Sequence, residues 1–128
     1  MDELGDTATG TAASTFDPTE LLARCEGDVD LAKQLVHAFR DERPRMFREL
    51  HDGVASGDSS STARAAHALK GSVGVFGDSA THDSALALEH MGLAGNLAAA
   101  SAELGKLEAE VARLERDLAS FVSHTGTP

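Results

Sequence analysis

The sequence predicts an all-α fold: an antiparallel four-helix bundle with a short extra N-terminal helix laid across one end. Two patterns predict it. Apolar residues recur three and four apart along four stretches joined by short connections, and no stretch alternates apolar with polar residues as a half-buried strand would. Composition agrees, because 41% of the 128 residues are hydrophobic but only 4% are aromatic, with no Trp or Tyr. One modest core filled by alanine and aliphatic side chains is what such a chain can build.

Residues 1–15 mix Asp, Thr, Ala, Gly and Ser without periodicity, which reads as a disordered tail or an interdomain linker. Structure is expected from Phe16. Asp17 suits an N-cap, Pro18 the first helical position and Glu20 the capping-box acid; Phe16 and Leu21 can close a hydrophobic staple. Gly27 ends this short helix.

Asp28 can cap a second helix with apolar positions Leu31, Leu35, Val36 and Phe39, resumed by Met46, Phe47, Leu50 and Val54. Pro44 lacks a backbone donor and clashes with the carbonyl four residues back. A kink near Arg40–Pro44, or two helices in near alignment, is therefore expected. Arg40, Arg43, Arg45 and Arg48 read first as a solvated face, and otherwise as a positive rim for a nearby anionic site.

Ser56–Ser61 is a loop running into a helix start with Asp58 as its N-cap. The central helix then extends to Gly77. Asp78 or Ser79 caps the next helix, which carries Leu86, Leu88 and Met91 and is closed by Gly92 and Gly95. From Asn96 onward Leu97, Ala100, Leu104, Leu107, Val111, Leu114, Leu118 and Phe121 alternate three and four apart, the pattern of a helix that packs along its whole length. The folded unit is thus residues 16–123, with 124–128 a second tail.

Charge narrows the function. A formal net charge of -10 disfavours nucleic acid or an anionic membrane as partner, since both need a basic surface. The single cysteine, Cys25, has no internal partner for a disulfide, which is compatible with a reducing cytoplasm. No stretch approaches the ~20 apolar residues that a membrane-spanning helix requires.

The stretch Thr62–Gly77, TARAAHALKGSVGVFG, carries the strongest functional signal. At about 100° per residue, Leu69, Val73 and Phe76 share a core-facing arc flanked by Thr62, Ala65 and Ala66. His67 lies opposite, beside Lys70, Gly71 and Gly74. Glycine costs roughly 1 kcal/mol relative to alanine inside a helix, and nothing in the core pattern asks for it on the outer face. The two glycines clear a shallow trough next to the imidazole, and Lys70 adds a cation. A nucleophilic nitrogen, room for a partner and a positive charge suit receipt of a phosphoryl group.

The run Ala66-His67-Ala68-Leu69-Lys70-Gly71-Ser72, with Gly74 and Gly77, resembles the signature of histidine-containing phosphotransfer (HPt) domains. The likeness extends from about Phe16 to the last helix. It implies an up-down-up-down packing order and a phosphorelay role. His67 would accept a phosphoryl group from a receiver-domain aspartyl phosphate and pass it to another receiver, with Lys70 stabilising the phosphoryl oxygens and Arg64, Gly71 and Gly74 forming the docking face. It also implies that Mg²⁺ comes from the receiver, that the chain holds no cofactor or metal itself, and that response-regulator receivers, and sensor or hybrid histidine kinases, are its partners. The chain departs from the family at Ser59 and Thr62, where related domains carry bulky apolar residues, so a looser first turn of the central helix is expected.

The other histidines, His37, His51, His82, His90 and His124, have no lysine-glycine trough. No histidine has an acidic residue three positions before it, and no His-Glu-x-x-His occurs, which disfavours a metal site. Phosphate-loop and dinucleotide motifs are absent too, so a phosphotransfer protein rather than an ATP-using enzyme is expected. Two other readings accompany the relay: a substrate domain of a chemotaxis-type histidine kinase, and a non-catalytic module dimerising through the Leu97–Phe121 heptads. The heptads are more simply the core seam of a monomer.

Overall fold

The computed structural model describes residues 16–125. They form five helices, α1 (Pro18–Arg24), α2 (Val29–Ser56), α3 (Ser59–Gly74), α4 (Ser79–Ala94) and α5 (Leu97–Thr125), and no strand occurs among them. The expected tail of residues 1–15 and the last three residues lie outside the described residues, and α5 continues two residues past Ser123.

The helix starts follow from side-chain caps. Asp17 accepts from the amides of Thr19 and Glu20, Asp28 from Leu31 and Asp58 from Ser61. Each satisfies amides that the first turn leaves unpaired. Asp58 also accepts the Ser61 hydroxyl at 2.8 Å, and these bonds from Ser61 hold its carboxyl below the usual range. Glu20, expected to close a capping box, instead pairs with Arg24 at 3.1 Å.

Pro44 does not divide α2. One helix runs through it for 28 residues, because the buried side chains of Phe39, Met46 and Phe47 on either side of the proline pack into one core. Two of the four arginines nearby, Arg43 and Arg45, are engaged. Arg45 pairs with Glu42 and Glu49, and Arg43 reaches Glu115 of α5 at 3.3 Å while lying over the Phe47 ring.

Helix α3 is held between two neighbours. It packs against α2 and, more extensively, against α4; α4 packs on α5, and α5 returns to α2. A Cβ placed on Gly53 of α2 would stand 2.7 Å from Thr62 Oγ1, and one on Gly92 of α4 would stand 2.7 Å from the Ala63 nitrogen. Missing side chains on both neighbours therefore let the backbone of α3 approach closely on two sides. Thr62 is fully buried, and its hydroxyl donates to the Asp58 carbonyl at 2.9 Å. The first turn is tight, against the expectation from Ser59 and Thr62, because Gly53 makes room for the threonine.

Two expectations for the neighbouring elements change as well. Gly92 does not close α4; it is buried inside the helix, and Gly95, in the left-handed conformation, is the C-cap. The buried face of α4 is accordingly small, with Thr81, Ser84, Ala85 and Gly92 around Leu88, while Leu86 and Met91 are only half buried. Helix α3 ends at Gly74 rather than Gly77, with residues 75–77 in a turn.

Apolar side chains of α5 from Ala100 to Phe121 are buried within the chain. The seam offered as a dimerisation surface is thus already used.

Gly92→Ala is expected to destabilise the fold by about 1–3 kcal/mol, because the added methyl meets backbone atoms of Ala63. Gly105→Ala, where the added methyl meets open space, should stabilise by up to ~1 kcal/mol through helix propensity. Urea denaturation of the two variants checks both signs.

Candidate phosphotransfer site

The way α3 is held leaves one of its faces free. Leu69, Val73 and Phe76 are buried at 0%, 0% and 2% exposure, and the opposite side carries His67, whose side chain is 67% exposed. A Cβ built on Gly71 or Gly74 would meet nothing within 4 Å. The imidazole therefore stands beside a cleared strip of backbone, as the helical spacing predicts.

The structure adds a residue that sequence reasoning missed. Glu89 of α4, with a side chain only 15% exposed, places Oε2 3.0 Å from His67 Nδ1 and Oε1 2.9 Å from Lys70 Nζ. One carboxylate thus bridges the two side chains. Glu89 lies 22 positions beyond His67, on another helix, so no local spacing could pair them. The detectable signal was an acidic residue on a helix expected to neighbour α3, and several residues meet that description.

The bridge fixes the electrostatics. Hydrogen bonding from Lys70, and secondarily from His67, lowers the Glu89 carboxyl below its ordinary 4.5, against the opposing effect of burial. Glu89 is then ionised at neutral pH and can only accept hydrogen bonds. In a neutral imidazole facing it, Nδ1 carries the proton and Nε2 keeps its lone pair. The same carboxylate acts on the other member of the expected pair: Lys70, 22% exposed, is held against Glu89 rather than standing free beside the ring.

Arg64 is exposed and contacts Ser61 at 3.4 Å. With Glu49, Asp52 and Asp58 it lines a groove between α2 and α3. It is on α3 one turn before His67, but the structure shows no contact between the two. The remaining histidines serve elsewhere. His51 pairs with Glu108 of α5 at 3.0 Å, His82 stands 3.5 Å from Asp83 and His124 bonds the Ser120 carbonyl, while His37 and His90 are exposed. Among the described residues no group of three or more His, Cys, Asp or Glu side chains could hold a metal ion.

Residues 34–117, well over half of the chain, match the family model of the Hpt domain. The chain belongs to the Hpt family. Its fold is also that of a solved structure, histidine-containing phosphotransfer protein B (HptB) from Pseudomonas aeruginosa PAO1, at a TM-score of 0.76 and 24% sequence identity. That likeness covers 82% of this chain and 91% of the other. No curated protein sequence matches the chain. No helix among the described residues of this Hpt domain is long and apolar enough to cross a membrane.

Replacing Glu89 with alanine should release the tautomer. In ¹⁵N spectra at neutral pH the His67 proton is expected on Nδ1 in the wild-type chain and to move substantially to Nε2 in Glu89→Ala. The pH dependence has a definite sign. Because the Glu89 carboxyl is lowered on folding, its pairing contributes fully above the unfolded value and is lost as pH falls through the lower folded value. Its ¹³C carboxyl titration should lie below 4.5 and move up toward it in Lys70→Ala.

Proposed function

We propose that this Hpt domain is a phosphorelay intermediate whose His67 accepts a phosphoryl group from a receiver-domain aspartyl phosphate and passes it to another receiver aspartate. Family membership supports a histidine phosphotransfer role in two-component signalling. The observation that carries the finer reading is the exposed His67 imidazole beside the open strip at Gly71 and Gly74.

In the forward step the Nε2 lone pair attacks phosphorus in line with the aspartyl oxygen. The N–P bond forms as the P–O bond to the aspartyl group breaks, and the bonding pair leaves with the carboxylate. No proton has to move, because Nδ1 already carries it. The ring becomes cationic as the bond forms, and the Glu89 carboxylate 3.0 Å from Nδ1 stabilises that charge. Return of the phosphoryl group to a second aspartate reverses these changes.

Lys70 acts on the phosphoryl oxygens by shifting its ammonium from Glu89 on a flexible stem. The receiver's Mg²⁺ supplies further neutralisation of those oxygens; no ion or cofactor is required of this chain. Arg64, Gly71 and Gly74 belong to the docking face, the glycines through clearance and Arg64 through charge.

The same reading takes α2–α5 as an antiparallel up-down-up-down bundle with α1 as the extra N-terminal helix. Register supports it: Ala63 meets Gly92 while His67 meets Glu89, so α4 descends as α3 ascends. The chain acts in the cytoplasm, and as a monomer, the latter supported by the long apolar seam on α5 being covered from within. Its partners are response-regulator receivers and the sensor or hybrid kinases that feed them.

Incubation with a radiolabelled, phosphorylated receiver is expected to give an acid-labile, base-stable label on the wild-type chain and none on His67→Gln; retention in the variant would refute the assignment. Gly71→Glu should keep the fold, since its side chain points into open space, yet slow transfer at least about tenfold through bulk and like charge at the docking face. Unchanged transfer in Gly71→Glu would remove the trough from the mechanism.

A further inference from the structure

The glycine-bearing end of α3 is intrinsically weak. Gly71 and Gly74 both fall in its last turn, which has no basic residue of its own. A helix C-terminus leaves its final carbonyls without intrahelical partners and carries a partial negative charge. A receiver docking at His67 would have to land on this turn, so any disorder there adds to the entropic cost of binding.

A side chain from α1 supplies what the turn lacks. Nη1 of Arg24 donates to the Gly74 carbonyl at 2.7 Å and to the Val75 carbonyl at 3.1 Å, while Nη2 holds Glu20 at 3.1 Å. The Glu20 carboxylate in turn lies against Gly77, where a Cβ would stand 2.9 Å from Oε1 and the backbone φ is +72°. Leu21 and Cys25, at 1% and 4% exposure, anchor α1 in the core, so the arginine is presented from a fixed base. The guanidinium fork suits this task, as it bonds carbonyls and a carboxylate at once.

Helix α1 also lies outside the residues that match the family model, so membership assigns Arg24 no role. We propose that Arg24 is a positioning residue for phosphoryl transfer, holding the Gly71–Gly77 end of the histidine helix in the form on which the receiver docks. The proposal rests on the reading of His67 as the receiver's phosphoryl acceptor. Arg24 does not touch His67, so it acts on docking and not on the nucleophilicity of Nε2. A small phosphodonor that reaches the imidazole without docking is indifferent to it.

The test uses the full chain with Arg24→Ala and the conservative Arg24→Lys. Three quantities are measured: transfer rate against phosphorylated-receiver concentration, His67 labelling by phosphoramidate, and amide hydrogen exchange at Phe76 and Gly77 without partner. Arg24→Ala should raise the half-saturating receiver concentration and speed the exchange, each about fivefold, for the loss of a charged hydrogen-bond donor. Maximal transfer rate and phosphoramidate labelling should stay as in the wild type, and Arg24→Lys should fall between. An unmoved half-saturating concentration, unchanged exchange, or labelling that falls in step with transfer would each overturn the role of Arg24. Absence of transfer from every receiver to the wild-type chain would instead sink the relay reading itself.

Discussion

One carboxylate organises the chemistry of this molecule. Glu89 meets the imidazole of His67 with one oxygen and the ammonium of Lys70 with the other, and the reactivity of the exposed ring follows from that contact. A free imidazole exchanges its proton between two nitrogens; this one has a partner that can only accept, so the proton is confined to the inner nitrogen and the outer one is left nucleophilic. In the proposed transfer the carboxylate opposes the positive charge that develops on the ring. It serves without being consumed, and it is shielded enough to act strongly while the imidazole remains in solvent.

That contact depends on how closely α3 and α4 approach. Gly92 lies directly against the backbone of Ala63, one turn of α3 before His67, and a side chain at Gly92 would push the two helices apart. The absence of a side chain at Gly92 is therefore a condition of the site as well as of the core. A wider separation would lengthen the reach from Glu89 to its two partners. Packing and chemistry are linked here through the absence of side chains, on the outer face at Gly71 and Gly74 and on the inner faces at Gly53 and Gly92.

Much of this was legible in the sequence because it is periodic or local. The helices, the caps at Asp17, Asp28 and Asp58, the burial of Leu69, Val73 and Phe76, and the outward position of His67 all follow from spacing within one element. What was not legible lies between elements. Pro44 reads locally as a breaker, yet packing on both sides of it keeps α2 whole. Gly92 reads as a stop signal, whereas its lack of a side chain is used against Ala63. Lys70 looks free on a helical wheel, which contains no α4 and so no Glu89. Arg24 carries no signal in its own helix, and only the tertiary fold shows that it caps the end of α3.

The most direct measurement is the position of the phosphoryl group on the ring, read from ³¹P–¹⁵N correlation spectra of the phosphorylated, ¹⁵N-labelled chain. Phosphorus is expected on Nε2 of His67, with Nδ1 still protonated toward Glu89. Phosphorus on Nδ1, or on any other histidine, would contradict that expectation.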